Sequence, residues 1–321
     1  MKKDNIKKFD LNIEKVLEAW KVCDALREII ANAFDEQILS KTKDIKIFKD
    51  EKKWNIGDFG RGLKYEHFTQ NENKEKLTNS DKVIGKFGVG LKDALAVLDR
   101  HKVSVKIKSK HGDISLGYAP KEDFPDIKTL HTFFSEPSDR KFEGTNFIFD
   151  GVKDTDMELA KNFFLKFSDE ELLEETQYGQ VLKCGKQRAR VYIHGVRVAE
   201  EDNFLFSYNI TSLTTKMRRA LNRERTNVGR TAYTDRVKSV LLECKKKEVA
   251  ELLINDLKRF EIGDIHDELK DWTDVSIHAC KLLNSQDKIV FFSPLQLINA
   301  KDMVDKAKDD GFKVITIPEL I

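Results

Sequence analysis

Apolar residues recur at helical spacing from Ile13 to Leu39. Val16, Ala19, Val22, Cys23, Leu26, Ile29, Ile30, Ala33 and Phe34 share one broad face, which predicts an amphipathic helix. The segment "IKIFKDEKKWNIGD" then reads as two short strands around a charged turn. Residues 64–82 are polar and rich in Asn and Lys, the pattern of a long loop. Helical spacing resumes from Leu91 to Leu98 after a glycine-rich stretch. "KVSVKIKSK" and "DISLGYA" alternate as a hairpin across Gly112, "GTNFIFDGV" is a further strand, and a helix is expected from Asp156 to Phe167.

A second set of elements starts near Gln180. "RARVYIHGVRVA" predicts a strand pair bent at Gly195, "FLFSYNI" another strand, and Tyr233 to about Leu257 one long amphipathic helix. The tail reads helix (275–283), strand (288–292), helix (300–309) and strand (313–317), a small lobe with one βαβ crossover. These patterns predict mixed helix and strand, and the family resemblance described below implies an α+β chain with domains at 1–155, 156–261 and 262–321. The 321-residue length suits two domains or a little more.

Composition narrows the class. Hydrophobic residues make up 40% and charged residues 35%, and the net charge is +2, so bulk charge points to no partner. Cys23, Cys184, Cys244 and Cys280 are scattered without metal-ligand spacing, and no apolar run approaches the roughly eighteen residues of a membrane span. A reduced, cytoplasmic protein without a membrane anchor is the expectation. The seven histidines show neither ligand spacing nor a triad.

Three stretches carry candidate chemistry. In "LREIIANAFDE", Glu28, Asn32 and Asp35 sit at i, i+4 and i+7, within about 60° of one another on the helix. A solvated polar face gives the same pattern. In "IGDFGRGL", Asp58, Gly60 and Gly62 form DxGxG directly after a strand, a motif that also suits a plain turn. "VIGKFGVGLKDAL" places Gly85, Gly88 and Gly90 just before a helix, where backbone N–H groups bind phosphate. Its spacing fits neither GxGxxG nor GxxxxGK[ST].

Taken in order, with Gly144–Thr145 entering a later strand, these motifs resemble the GHKL ATP-binding superfamily: gyrase B subunits, heat-shock protein 90 chaperones, sensor histidine kinases, MutL and the MORC ATPases. The likeness covers about residues 10–150, and "IGKFGVGLK" is closest in style to MORC and topoisomerase VI B-subunit members. It implies a Bergerat-type α/β sandwich that binds ATP and Mg²⁺ and hydrolyses ATP. Asn32 would hold Mg²⁺, and Glu28 would polarise the attacking water. Histidine-kinase members usually carry Asn at that place, so Glu28 favours hydrolysis. Asp58 would accept a hydrogen bond from the adenine amine, with Asp35 deeper near the adenine edge. Gly60 and Gly62 would let the nucleotide approach the chain, and Thr145 would bond to an adenine-side water or to Asp58. Gly85, Lys86, Phe87, Gly88, Val89 and Gly90 would cover the phosphates, with Lys86 either touching them or facing solvent. Residues 64–82 would be a lid.

The resemblance further implies a transducer-like second domain that sends a cation to the γ-phosphate. Thr215–Lys216 resembles the gyrase loop that does so, with Arg223, Arg225 and Arg230 as rivals. Between Val181 and Glu248 sixteen Lys and Arg stand against seven Asp and Glu. That excess is either a nucleic-acid footprint or a set of cations that serve ATP and pair with the acidic tail. The implied function is an ATP-gated clamp, on nucleic acid or not, that dimerises when ATP is bound. A chaperone-like module that uses slow turnover to change protein partners is the alternative.

Overall fold

The computed structural model describes residues 7–11, 17–69, 83–84, 90–121, 124–185, 188–221, 228–260 and 263–319. The chain is α+β and divides into two compact units, residues 1–163 and 164–321.

The first unit is built on a seven-stranded antiparallel sheet. Its strands are β1 (Lys7–Asp10), β2 (Lys46–Asp50), β3 (Lys53–Asp58), β4 (Ser104–Ser109), β5 (Gly112–Lys121), β6 (Phe124–Ser135) and β7 (Thr145–Asp150), in the order β1-β6-β5-β4-β7-β3-β2. Among the described residues its helices are α1 (Val22–Ser40), α2 (Glu66–Thr69), α3 (Gly90–Arg100) and α4 (Asp154–Lys161). Helix α1 packs on β3, and α3 and α4 pack on α1.

Alternation in the central strands builds the core. The register sets Trp54, Phe149 and Val105 side by side on β3, β7 and β4, and next to them Ile56, Phe147 and Ile107. All six are buried, each aromatic or branched side chain contributing roughly 1.5–3 kcal/mol. One pair further along, the same face carries Asp58, Thr145 and Ser109, also buried. The core therefore ends in a polar row, which is stable only if its groups are hydrogen-bonded.

Three expectations for this unit need correction. Ile13–Val16 of the expected helix lie outside the described residues, and among those described the helix begins at Val22. Leu17 takes a left-handed φ of 58°, residues 18–19 turn, and Lys21 caps the helix with its N–H on Asp24 Oδ2 at 2.9 Å. The helix expected to reach Phe167 stops at Lys161, followed by a 3-10 turn at Leu165–Phe167. Strands β1 and β6 were not anticipated.

The second unit has a five-stranded sheet of β8 (Glu171–Glu175), β9 (Gly179–Lys183), β10 (Ala189–Ile193), β11 (Val196–Glu201) and β12 (Phe206–Ile210), in the order β11-β10-β12-β9-β8. The β10–β12 pair is parallel and the others antiparallel. Helices α5 (Thr215–Ala220), α6 (Arg230–Leu242), α7 (Lys247–Leu257), α8 (Asp267–Lys270) and α9 (Thr273–Gln286) follow. The tail is β13 (Ile289–Phe292), α10 (Pro294–Asn299), α11 (Lys301–Asp309) and β14 (Lys313–Thr316), with β13 and β14 parallel.

The expected long helix from Tyr233 is two helices. Glu174 accepts the backbone N–H groups of Lys245 at 2.6 Å and Lys246 at 3.0 Å, and α7 starts there. The domain limits expected at 155/156 and 261/262 also differ from the packing. Contacts divide at Phe163/Phe164, and one buried cluster runs from Leu173 to Ile317, so the tail shares the core of the second unit.

Candidate functional site

The polar face of α1 and the polar end of the sheet supply the site of the first unit. Glu28 and Asn32 are half-buried and Asp35 is fully buried, so this face is not a solvated stripe. Asp35 Oδ1 accepts the backbone N–H of Ile84 at 2.5 Å. Seven residues earlier on α1, Glu28 Oε2 lies 2.7 Å from where a Cβ on Gly90 would stand. The two flanks of residues 85–89 thus meet α1 about 10 Å apart, with Asn32 on the same face between them. Gly90 opens α3, and its missing side chain leaves the space that the Glu28 carboxylate approaches. Gly85, Lys86, Phe87, Gly88 and Val89 lie outside the described residues, as do residues 70–82 of the expected lid.

Glu28 is also held from its other side. Arg27 donates from Nη2 to Glu28 Oε1 at 3.1 Å. Arg27 is buried, with its guanidinium 5.3 Å from the Trp20 ring centroid and 5.1 Å from that of Phe163. A cation clamped between two rings is an unusually fixed partner for a carboxylate.

At the sheet end, Asp58 Oδ1 accepts the N–H of Gly60 at 2.9 Å, and Thr145 hydrogen-bonds to Asp58 through side chain and backbone. Burial, helped by the charge of Glu36, outweighs those bonds and pushes the Asp58 carboxyl up to about 6. Asp58 was one of the two partners expected for Thr145. The glycines serve the protein's own packing. A Cβ on Gly60 would stand 2.3 Å from Glu36 Cγ. Gly62, at φ +83°, is crowded by Ser109 and Lys110, and a Cβ on Gly144 (φ +82°) would fall 2.1 Å from the Asp58 carbonyl oxygen.

Glu36 escaped the sequence reading. Its carboxylate accepts three bonds from Arg61, from the backbone N–H at 2.7 Å, Nε at 3.0 Å and Nη2 at 2.9 Å, and one from Ser40 Oγ at 2.5 Å. Burial alone would raise its pKa, but the Arg61 and Ser40 bonds hold it below the usual carboxylate range. Nothing in the spacing separates Glu36 from an ordinary surface charge. Asp35 is tied to Ile84 and Lys92 lies 5.8 Å from the Phe9 ring centroid.

Lys216 belongs to the second unit. It is exposed in the first turn of α5, which Thr214 caps by accepting the Met217 N–H at 3.1 Å. Arg230 is already engaged by Asp267 at 2.7 Å and Glu201 at 3.4 Å, and Arg223 and Arg225 lie outside the described residues. Much of the basic stretch is paired: Arg188 with Asp202, Arg197 with Glu200, Lys238 with Asp274 and Lys247 with Asp287. The last two acids, with Asp267, come from the tail.

Comparison with known proteins places the chain in a lineage. Residues 155–247 match the family described as Mycoplasma pneumoniae MPN635 N-terminal domain. An uncharacterised Mycoplasma pneumoniae protein is 37% identical over 238 residues, 72% of this chain and 95% of that protein. The chain belongs to that protein's family. A second uncharacterised Mycoplasma pneumoniae protein is 26% identical over 153 residues, 46% of this chain and 42% of its own length. Membership of this Mycoplasma family brings no activity with it, so function rests on the side chains. Among the described residues no helix is long and apolar enough to cross a membrane, and no group of His, Cys, Asp or Glu has metal-site geometry.

Proposed function

We propose that the first unit binds ATP with Mg²⁺ and hydrolyses it, as a GHKL-type ATPase with a Bergerat-type fold. The observation that carries this reading is the shared anchoring of two motifs on α1: Asp35 holds the flank before the glycine segment at Ile84, and Glu28 faces the flank after it at Gly90. A phosphate cover built on backbone N–H groups needs its ends fixed beside the base and the metal ligand.

The chemistry divides among the residues. Glu28 is oriented by Arg27 and can take a proton from water, a role worth about 10²–10⁴-fold in rate. Asn32 offers an amide oxygen, a donor of the hard type that Mg²⁺ accepts alongside waters and phosphates. That ion, when bound, would neutralise phosphate charge. The start of α3 at Gly90 presents N–H groups and the positive end of a helix. Asp58, buried and already bonded to Gly60 and Thr145, has acceptor capacity for an exocyclic amine.

On this reading ATP turnover drives a clamp-like change, with ATP-dependent homodimerisation, nucleic acid and a protein client as partners to be tested. The pairing of much of the basic stretch weakens the nucleic-acid option. The test is phosphate release by the full chain with MgATP, alongside calorimetric binding of the non-hydrolysable analogue. Release above background, abolished by EDTA and by Glu28→Gln, supports the reading. No binding of MgATP or its analogue at any pH from 6 to 8 overturns it.

A further inference from the structure

We propose that β14 is a docking edge, which takes an extended acidic peptide of a partner protein as a third strand of the β13–β14 sheet. The inference concerns the second unit and is independent of the nucleotide reading. Strands β13 and β14 pair in parallel, with Ile289 opposite Lys313 and Phe292 opposite Thr316. Lys313 donates its backbone N–H to the Lys288 carbonyl at 2.7 Å, and Ile317 donates to that of Phe292 at 3.0 Å. Both backbone polar groups of a strand residue point to the same side, and the side alternates along the chain. Residues 313, 315 and 317 therefore face β13, and Val314 and Thr316 turn their N–H and C=O groups the other way.

That other side opens on a cleft. About 320 Å³ lies between β14 and the C-terminal end of α7, lined by Leu257, Lys258 and residues 313–318. Its floor is apolar, because Leu257, Ile315 and Ile317 are buried members of the core of the second unit. Residue 318 has the parity of 314 and 316 but is proline, so it offers no N–H and the open stretch ends after Thr316. A bare strand edge beside an apolar floor gives an added strand main-chain bonds and a side-chain pocket together.

Charge selects the occupant. Among the described residues the charged side chains lining the cleft are Lys258 and Lys313, both exposed. Lys258 reaches Asn255 Oδ1 at 3.1 Å, and no carboxylate pairs with either lysine. The described acids next to the cleft are engaged elsewhere: Asp256 by His266 at 2.7 Å, and Glu319 by the Leu295 N–H at 2.8 Å. A segment that alternates apolar and acidic residues sets its apolar side chains on the floor and its carboxylates toward the lysines. Lysine on an edge also discourages chance pairing, so recognition depends on the acidic sequence.

The probe is a fluorescein-labelled octapeptide alternating Val and Glu, titrated into the full chain, with a Val and Lys octapeptide as control. The acidic peptide should bind at least about tenfold tighter than the basic one, and Lys258→Glu combined with Lys313→Glu should reverse that preference. Amide hydrogen exchange reads the strand itself. With the acidic peptide at saturation, Val314 and Thr316 should exchange at least about tenfold more slowly, while Lys313 and Ile317, already bonded to β13, change less. Equal affinity for the two peptides, or binding that leaves Val314 and Thr316 exchanging as before, overturns the proposal. Slowing of the same two amides as the peptide-free chain is concentrated, with a dimer mass in sedimentation, overturns it in favour of a second copy. No binding of the acidic peptide also overturns it, and leaves Lys313 and Pro318 as guards of an edge that pairs with nothing.

Discussion

Replacing Asp58 with Asn should make the protein more stable and remove its ligand. Asp58 is 7% exposed, and its carboxyl is raised from an ordinary 3.8 to about 6, with burial as the main cause. At about 1.36 kcal/mol per pKa unit, the folded chain bears about 3 kcal/mol for ionising this group. The sign follows from proton counting. Between pH 3.8 and about 6 the folded chain retains a proton that the unfolded chain has released, so stability falls as pH rises through that window. Above about 6 the full cost is present; below 3.8 there is none. Asn carries no charge at any pH and keeps an oxygen for the Gly60 N–H. Its amide group cannot accept from Thr145, a loss of about 1 kcal/mol that moves the baseline. The gap between Asp58→Asn and wild type should therefore grow by about 2.4 kcal/mol from pH 4 to pH 7. Urea midpoints followed by tryptophan fluorescence measure it, since Trp54 lies on the same strand as Asp58. A gap that is flat across this range, or that shrinks, would refute the argument. Loss of MgATP binding in the same variant would mark a group kept for function against stability.

Glu28→Gln should bind MgATP within about threefold of wild type and lose roughly 10²–10⁴-fold in kcat, read by phosphate release. Gly90→Ala places a methyl group 2.7 Å from Glu28 Oε2. It should cut kcat at least about tenfold while leaving the melting temperature unchanged or higher, because Ala is the better helix former by about 0.5–1 kcal/mol.

Alternation made β4 and β7 legible, because buried positions alternate with more exposed ones along each. Strand β6 was not, since Phe124–Lys128 is exposed throughout and contains Pro125, so no buried face writes a period into it. The early start given to α1 came from apolar spacing that continues through Leu17, where the backbone turns left-handed. The split between α6 and α7 depends on Glu174, some seventy residues away, which no local pattern reports. Glu28, Asn32 and Asp58 could be picked out as candidates because motif order is a sequence property. Arg27 and Glu36 could not: each looks like one more charge on a charged helix, and each is defined by what it meets in space, two aromatic rings in one case and Arg61 in the other.

The central sheet of the first unit has a polar end and a plain end. Asp58, Thr145 and Ser109 close one end of β3, β7 and β4, while Asp50–Lys53, residues 101–103 and residues 151–153 form the turns at the other. A residue inserted at 59–62, 110–111 or 143–144 would break the alignment of that polar row. One inserted at the far turns would leave it untouched. Length variation among relatives of this chain should therefore gather at the far turns, and their history of insertions and deletions should be lopsided along a single axis.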